Sequence, residues 1–142
     1  MENLQIEKKR IELFSEYLIK ELDCEYFFIC KIEDYTNSKP IISFNKLNQI
    51  DNVPYEMDVT PCFITAQTGT GYYPKNVQNT FPLDKFFVEY GINSYIGIAL
   101  FKDNQVRPCG IMITLFKDNH ENGEEVLKKL RIKADEAARF IS

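Results

Sequence analysis

Two apolar runs in the last third of the chain, Ser94 to Phe101 and Gly110 to Phe116, constrain the fold more than any other feature. Both read as strands, and the polar stretch Lys102-Asp103-Asn104-Gln105 between them reads as the connection of an antiparallel pair. A period of two divides each strand between two faces. In the first, Ile96, Ile98 and Leu100 alternate with Tyr95, Gly97, Ala99 and Phe101. In the second, Ile111, Ile113 and Leu115 alternate with Met112, Thr114 and Phe116. Matching like with like predicts one aliphatic sheet face packed against helices. The opposite face, mixing small, polar and aromatic residues, would then wall a cavity, since Gly97 and Ala99 leave space while Tyr95 and Thr114 offer hydrogen bonds. The alternative at this point is that Gly97 and Ala99 merely accommodate an aromatic side chain.

The rest of the chain supplies what such a pair needs. Residues from about 3 to 22 read as a helix, with Ile11, Phe14, Leu18 and Leu22 at spacings of three and four. Glu25 to Glu33 reads as a strand, Tyr35 to Pro40 as a turn, and Ile41 to Leu47 as the returning strand. In the middle, Thr60-Pro61 places an N-cap before a proline at the first helical position, and Gly69 closes the short helix. Tyr72-Tyr73 suits a brief strand, and Phe81-Pro82-Leu83-Asp84 opens another short helix that ends at Gly91. Near the end, Asn122 and Glu125 have capping-box spacing. They precede a helix with the seam Val126, Leu130, Ala134, Ala137 and Ile141. The order is helix, hairpin, broken helical segment, hairpin, helix. That is an α+β fold, expected as one domain over residues 1–142.

Charge and composition remove several functions. The 142 residues carry a net charge of −4 with no basic stripe, which argues against nucleic acid as a partner. No apolar run approaches the ~20 residues that cross a bilayer, so no membrane is expected as a partner. The stretch beginning Met1-Glu2-Asn3-Leu4 lacks the basic and apolar regions of an export signal, and a cytoplasmic location is expected. Cys24, Cys30, Cys62 and Cys109 form no C-x-x-C pair, and His120 is the single histidine. A zinc set is therefore not expected, and the cysteines read as buried small apolar residues.

Three blocks in order carry a likeness to a known family. They are Thr60-Pro61-Cys62, then Tyr73-Pro74-Lys75-Asn76-Val77-Gln78 running on to Phe81-Pro82-Leu83-Asp84, then Gly91-Ile92-Asn93-Ser94-Tyr95-Ile96-Gly97-Ile98-Ala99-Leu100 followed by Gly110-Ile111-Met112. Together the stretch Tyr55 to Asn119 resembles the GAF domains of bacterial sensor histidine kinases and diguanylate cyclases. The resemblance implies a profilin-like central antiparallel sheet with both terminal helices on one face. Short helices and loops would roof a pocket on the other face, with Phe81 and Pro82 wedging the roof and Asp84 capping its helix. Some features depart from the family pattern. Ala99 stands where a Pro is usual, and the turn before the last strand lacks its Gly, so a longer or bulged hairpin is expected. No Cys-His pair exists for a bilin, no Asn-Lys-x-x-x-Phe-Asp signature for a cyclic nucleotide, and no well-placed His for haem. No cofactor is expected.

Three functions remain open on the sequence. In the first, a regulatory sensory domain binds a small molecule and relays the event through its terminal helices to an output domain, a kinase or a cyclase. In the second, a ligand-free module docks proteins or forms a homodimer through those helices. In the third, an enzyme reduces a small molecule with Cys62, placed at a helix start, as the nucleophile. The first is the expected reading, with no enzymatic activity. Its candidate ligand-binding residues are Phe28, Cys30, Cys62, Tyr73, Phe81, Tyr95, Gly97, Met112 and Thr114.

Overall fold

The computed structural model describes residues Glu2–Ser142. Met1, with which the stretch read for an export signal begins, lies outside them. The chain runs α1 (Glu2–Leu22), β1 (Tyr26–Ile32), β2 (Asn37–Asn45), β3 (Asn48–Gln49), β4 (Tyr55–Glu56), α2 (Pro61–Thr68) and β5 (Thr70–Tyr73). It continues with α3 (Val77–Thr80), α4 (Lys85–Glu89), β6 (Ser94–Leu100), β7 (Gly110–Phe116) and α5 (Gly123–Arg139). Its antiparallel sheet has the order β3-β2-β1-β7-β6-β5, with β4 pairing the start of β2. The first and last hairpins are thus joined through β1 and β7, far apart in sequence and adjacent in the sheet.

Both long helices cover one face. α1 buries Phe14, Leu18, Ile19 and Leu22, and α5 buries Val126, Leu130, Ala137 and Ala138. These side chains meet Phe27, Ile29, Ile42, Phe44, Ile96, Ile98 and Leu100 of the sheet in one apolar cluster. Each fully buried Leu, Ile or Phe there contributes about 1.5–3 kcal/mol through removal from water. Ser15 sits within the α1 stripe because its Oγ donates to the Ile11 carbonyl at 2.8 Å, leaving no unsatisfied hydroxyl. The expected α5 seam packs on the chain's own sheet, with Ile141 also in the cluster and Ala134 against it.

Three expectations need correction. The Tyr35–Pro40 turn is shorter than expected: Asp34 Oδ1 accepts the Thr36 and Asn37 amides, both at 3.0 Å, and β2 already begins at Asn37. Asn122 precedes α5 without capping it through its side chain, so the capping box is not formed. The largest correction concerns β7. Residues directly opposite in an antiparallel pair share a face, and the register sets Ile96 against Thr114 and Ile98 against Met112. It sets Tyr95 against Leu115, Gly97 against Ile113 and Ala99 against Ile111. Met112 and Thr114 therefore lie on the helix side, while Ile111, Ile113 and Leu115 look toward the roof. Like faces do not pair because β7 is a central strand buried on both sides, where alternation carries no inside–outside signal.

Candidate ligand pocket

The roof is built from short, locally capped helices. Thr60 accepts the Cys62 amide at 3.2 Å, Pro61 occupies the first turn of α2, and Gly69 closes it at φ +92°. Asp84 Oδ1 accepts the Phe86 amide at 3.1 Å and starts α4 as the sequence indicates. α3, which the sequence reading missed, follows Asn76 in a left-handed conformation at φ 56°. Beneath this roof a second apolar cluster gathers Tyr26, Cys30, Cys62, Val77, Phe87, Tyr95, Ala99, Ile111, Ile113 and Leu115.

Between sheet and roof lies a cavity of about 390 Å³. Phe28, Pro40, Tyr95, Ile113 and Leu115 form its floor. Thr60 and Cys62 of the α2 start, Val53, Glu56 and Val59 of the preceding segment, and Leu83 to Phe87 around α4 form its walls. Pro40 reaches the floor because β2 bulges there: Ile29 pairs with Ile42 but Cys30 pairs with Pro40, leaving Ile41 unmatched. Two aromatic groups face the space. Phe28 meets the Phe86 ring edge-on at 6.1 Å between centroids, and Phe87 meets Tyr95 at 6.4 Å. Tyr26 backs the first group, with its ring 5.1 Å from Phe86.

The polar groups are few. The Tyr95 hydroxyl lies 2.9 Å from Thr65 Oγ1 and donates toward Cys62 Sγ at 3.4 Å. Burial pushes the Tyr95 phenol well above its ordinary value, and nearby Cys62 adds to the effect. Burial likewise holds the Cys30 thiol well above 9, with Cys62 contributing. Asp84 is the unusual acid. Burial raises it from 3.8 to about 6, against the stabilising amides of Phe86 and Phe87.

The nine sequence-derived candidates separate into four groups. Phe28, Cys62 and Tyr95 line the cavity. Cys30 is buried in the same cluster behind the floor, and Tyr73 and Phe81 pack beside it, with their rings 5.0 Å apart. Gly97 opens no space for a ligand: a Cβ there would stand 3.1 Å from the Tyr95 hydroxyl, so the room is taken by Tyr95 itself. Met112 and Thr114 lie across the sheet, the former in the helix-side core and the latter donating to the Ile96 carbonyl at 2.7 Å. His120, the single histidine, is drawn into the packing beside the helix-side core. It is half-buried, its ring lies 4.3 Å from Phe116, and burial lowers its pKa. Sequence reasoning missed Pro40, Phe86, Phe87, Ile113 and Leu115 as cavity residues. The Phe86-Phe87 pair behind a capping Asp was the one available signal.

Neither a family model nor any curated protein matches the chain by sequence. Solved structures match it by shape. A type II free methionine-R-sulfoxide reductase from Thermoplasma acidophilum gives a TM-score of 0.77 at 14% identity, over 96% of this chain and 93% of that one. The GAF domain region of a protein from Geobacter sulfurreducens PCA gives 0.74 at 15% identity, over 98% and 97%. The phycoerythrobilin-bound GAF domain of a cyanobacterial phytochrome gives 0.63 at 17% identity, over 95% and 84%. At these identities the likeness is one of architecture.

Proposed function

We propose that this chain, which has the GAF fold, acts as a regulatory sensory domain spanning residues 1–142. It binds a small, largely apolar molecule between the sheet and the roof. The carrying observation is the 390 Å³ cavity, whose size falls in the range of small-molecule sites and whose lining is mainly aromatic and aliphatic. Support for ligand binding by a domain of this fold comes from the phycoerythrobilin-bound GAF domain of the cyanobacterial phytochrome. The signal leaves through the sheet, since Tyr95 and Ile113 touch the cavity while Ile96 and Met112, their neighbours in β6 and β7, pack on α1 and α5. Binding is expected to raise the melting temperature and slow amide exchange in α1 and α5. A panel of apolar metabolites with no member raising the melting temperature would overturn the reading. Among the described residues, no helix is long and apolar enough to cross a membrane. Cytoplasmic signalling to an attached or separate kinase or cyclase belongs to the same proposal.

A second reading, thiol chemistry at Cys62, draws on the reductase of like fold and on the Tyr95 hydroxyl directed at Cys62 Sγ. Burial weighs against it: Cys62 and Cys30 are both enclosed in the apolar cluster. Rapid modification of Cys62 by a thiol reagent in the native protein at neutral pH would favour it over the sensory reading. A homodimer built on the α5 seam competes with the core, because that seam already packs on the sheet.

A further inference from the structure

We infer that the cavity selects an organic ammonium ion, a cationic amine carried on an apolar body, with Asp84 as its counter-ion and the rings of Phe28 and Phe86 as its cradle. The inference rests on the pocket reading above and names its ligand class.

Asp84 stands in the cavity wall, partly buried among Leu83, Phe86 and Phe87. Its helix-capping bond to the Phe86 amide uses one carboxylate oxygen. A carboxylate accepts up to four hydrogen bonds, so with the Phe86 and Phe87 amides both drawing on it, about half of its capacity remains for a ligand. Among the described residues it forms no ion pair. Lys85 is adjacent in sequence and also lines the cavity, yet it is exposed and leaves the Asp84 charge uncompensated. The third charged group of the lining, Glu56, is also exposed and adds a second negative charge. The lining therefore carries one cation against two anions.

A half-buried carboxylate without an ion-pair partner is costly to desolvate, and a bound cation is the direct way to relieve that cost. The aromatic lining adds to the preference. Ring faces attract cations and have no such attraction for anions or neutral groups, and the pull grows once water is excluded. An anionic ligand would be repelled by Asp84 and gain nothing from the aromatic lining. A neutral apolar ligand would fill the volume without relieving the acid.

Three probes sharing a phenyl group on a short tether separate these possibilities: 2-phenylethylamine, 2-phenylethanol and 3-phenylpropionate. Affinities are read by ligand-observed NMR titration at neutral pH. The amine is expected to bind about tenfold more tightly than the alcohol, and the carboxylate more weakly than both. Asp84→Asn, which retains a good N-cap residue, is expected to weaken the amine about tenfold and leave the alcohol unchanged. Phe86→Leu keeps the apolar volume and is expected to weaken the amine selectively. Alcohol binding equal to amine binding, or amine affinity unchanged in Asp84→Asn, overturns the ammonium inference and leaves the pocket reading standing. Absence of binding by all three probes up to about 10 mM overturns the pocket reading and this inference with it.

Discussion

Replacing Asp84 by Asn measures what it costs this fold to hold a carboxylate in the pocket wall. Burial raises the Asp84 pKa from 3.8 to about 6. A difference of that size corresponds to ~3 kcal/mol between the protonated and ionised forms. Asp84 is only partly buried, so screening by solvent lowers the working figure to ~1.5 kcal/mol. The native state binds this proton more tightly than the unfolded chain does. The stability associated with the protonated acid is therefore complete below 3.8 and is lost as the pH rises through about 6. Asn carries no charge and caps a helix as well as Asp. Asp84→Asn is expected to stabilise the protein by ~1.5 kcal/mol at about pH 7.5 and by nearly nothing at about pH 4. In thermal unfolding the gain corresponds to roughly 4 °C. Urea denaturation of both proteins across that pH range checks the prediction. A difference independent of pH, or a net loss of stability at the higher pH, would refute the reasoning that Asp84 is held against its own solvation.

Three further outcomes follow from the packing. Leu130→Ala, at a fully buried α5 position on the sheet, is expected to cost about 2–5 kcal/mol in chemical denaturation. Gly71→Ala would drive a Cβ into Thr65 Oγ1 and within 2.6 Å of the Tyr95 ring. It is expected to destabilise by about 1–3 kcal/mol, and retained stability would show that the α2–β5 packing is looser than described. Thr114→Val removes the bond to the Ile96 carbonyl from the helix side of the sheet. It is expected to cost about 1 kcal/mol without altering the affinity of any pocket ligand. A selective loss of binding would place Thr114 on the wrong face.

Local chemistry was legible in the sequence wherever one short segment decided the outcome. Thr60, Pro61 and Gly69 delimit α2, and Asp84 starts α4, because caps and left-handed closures act on their own immediate backbone. The long helices were equally legible, since an amphipathic stripe such as Val126, Leu130 and Ala137 reports its buried side directly. In the first strand, the candidates Phe28 and Cys30 share the roof side, while Phe27 and Ile29 face the helices.

The faces of the last strand could not be told apart, because both are buried. Only register settles which side Ile113 takes, and register is fixed by pairing with β6 and with β1, more than eighty residues earlier in the chain (Phe28 opposite Ile113). The same dependence hid most of the pocket. Phe86 and Pro40 become neighbours of one cavity only when α4 folds over the sheet and β2 bulges. Segment identity is thus a property of nearby residues along the chain. The cavity is a property of distances closed by folding, and no stretch of residues contains it.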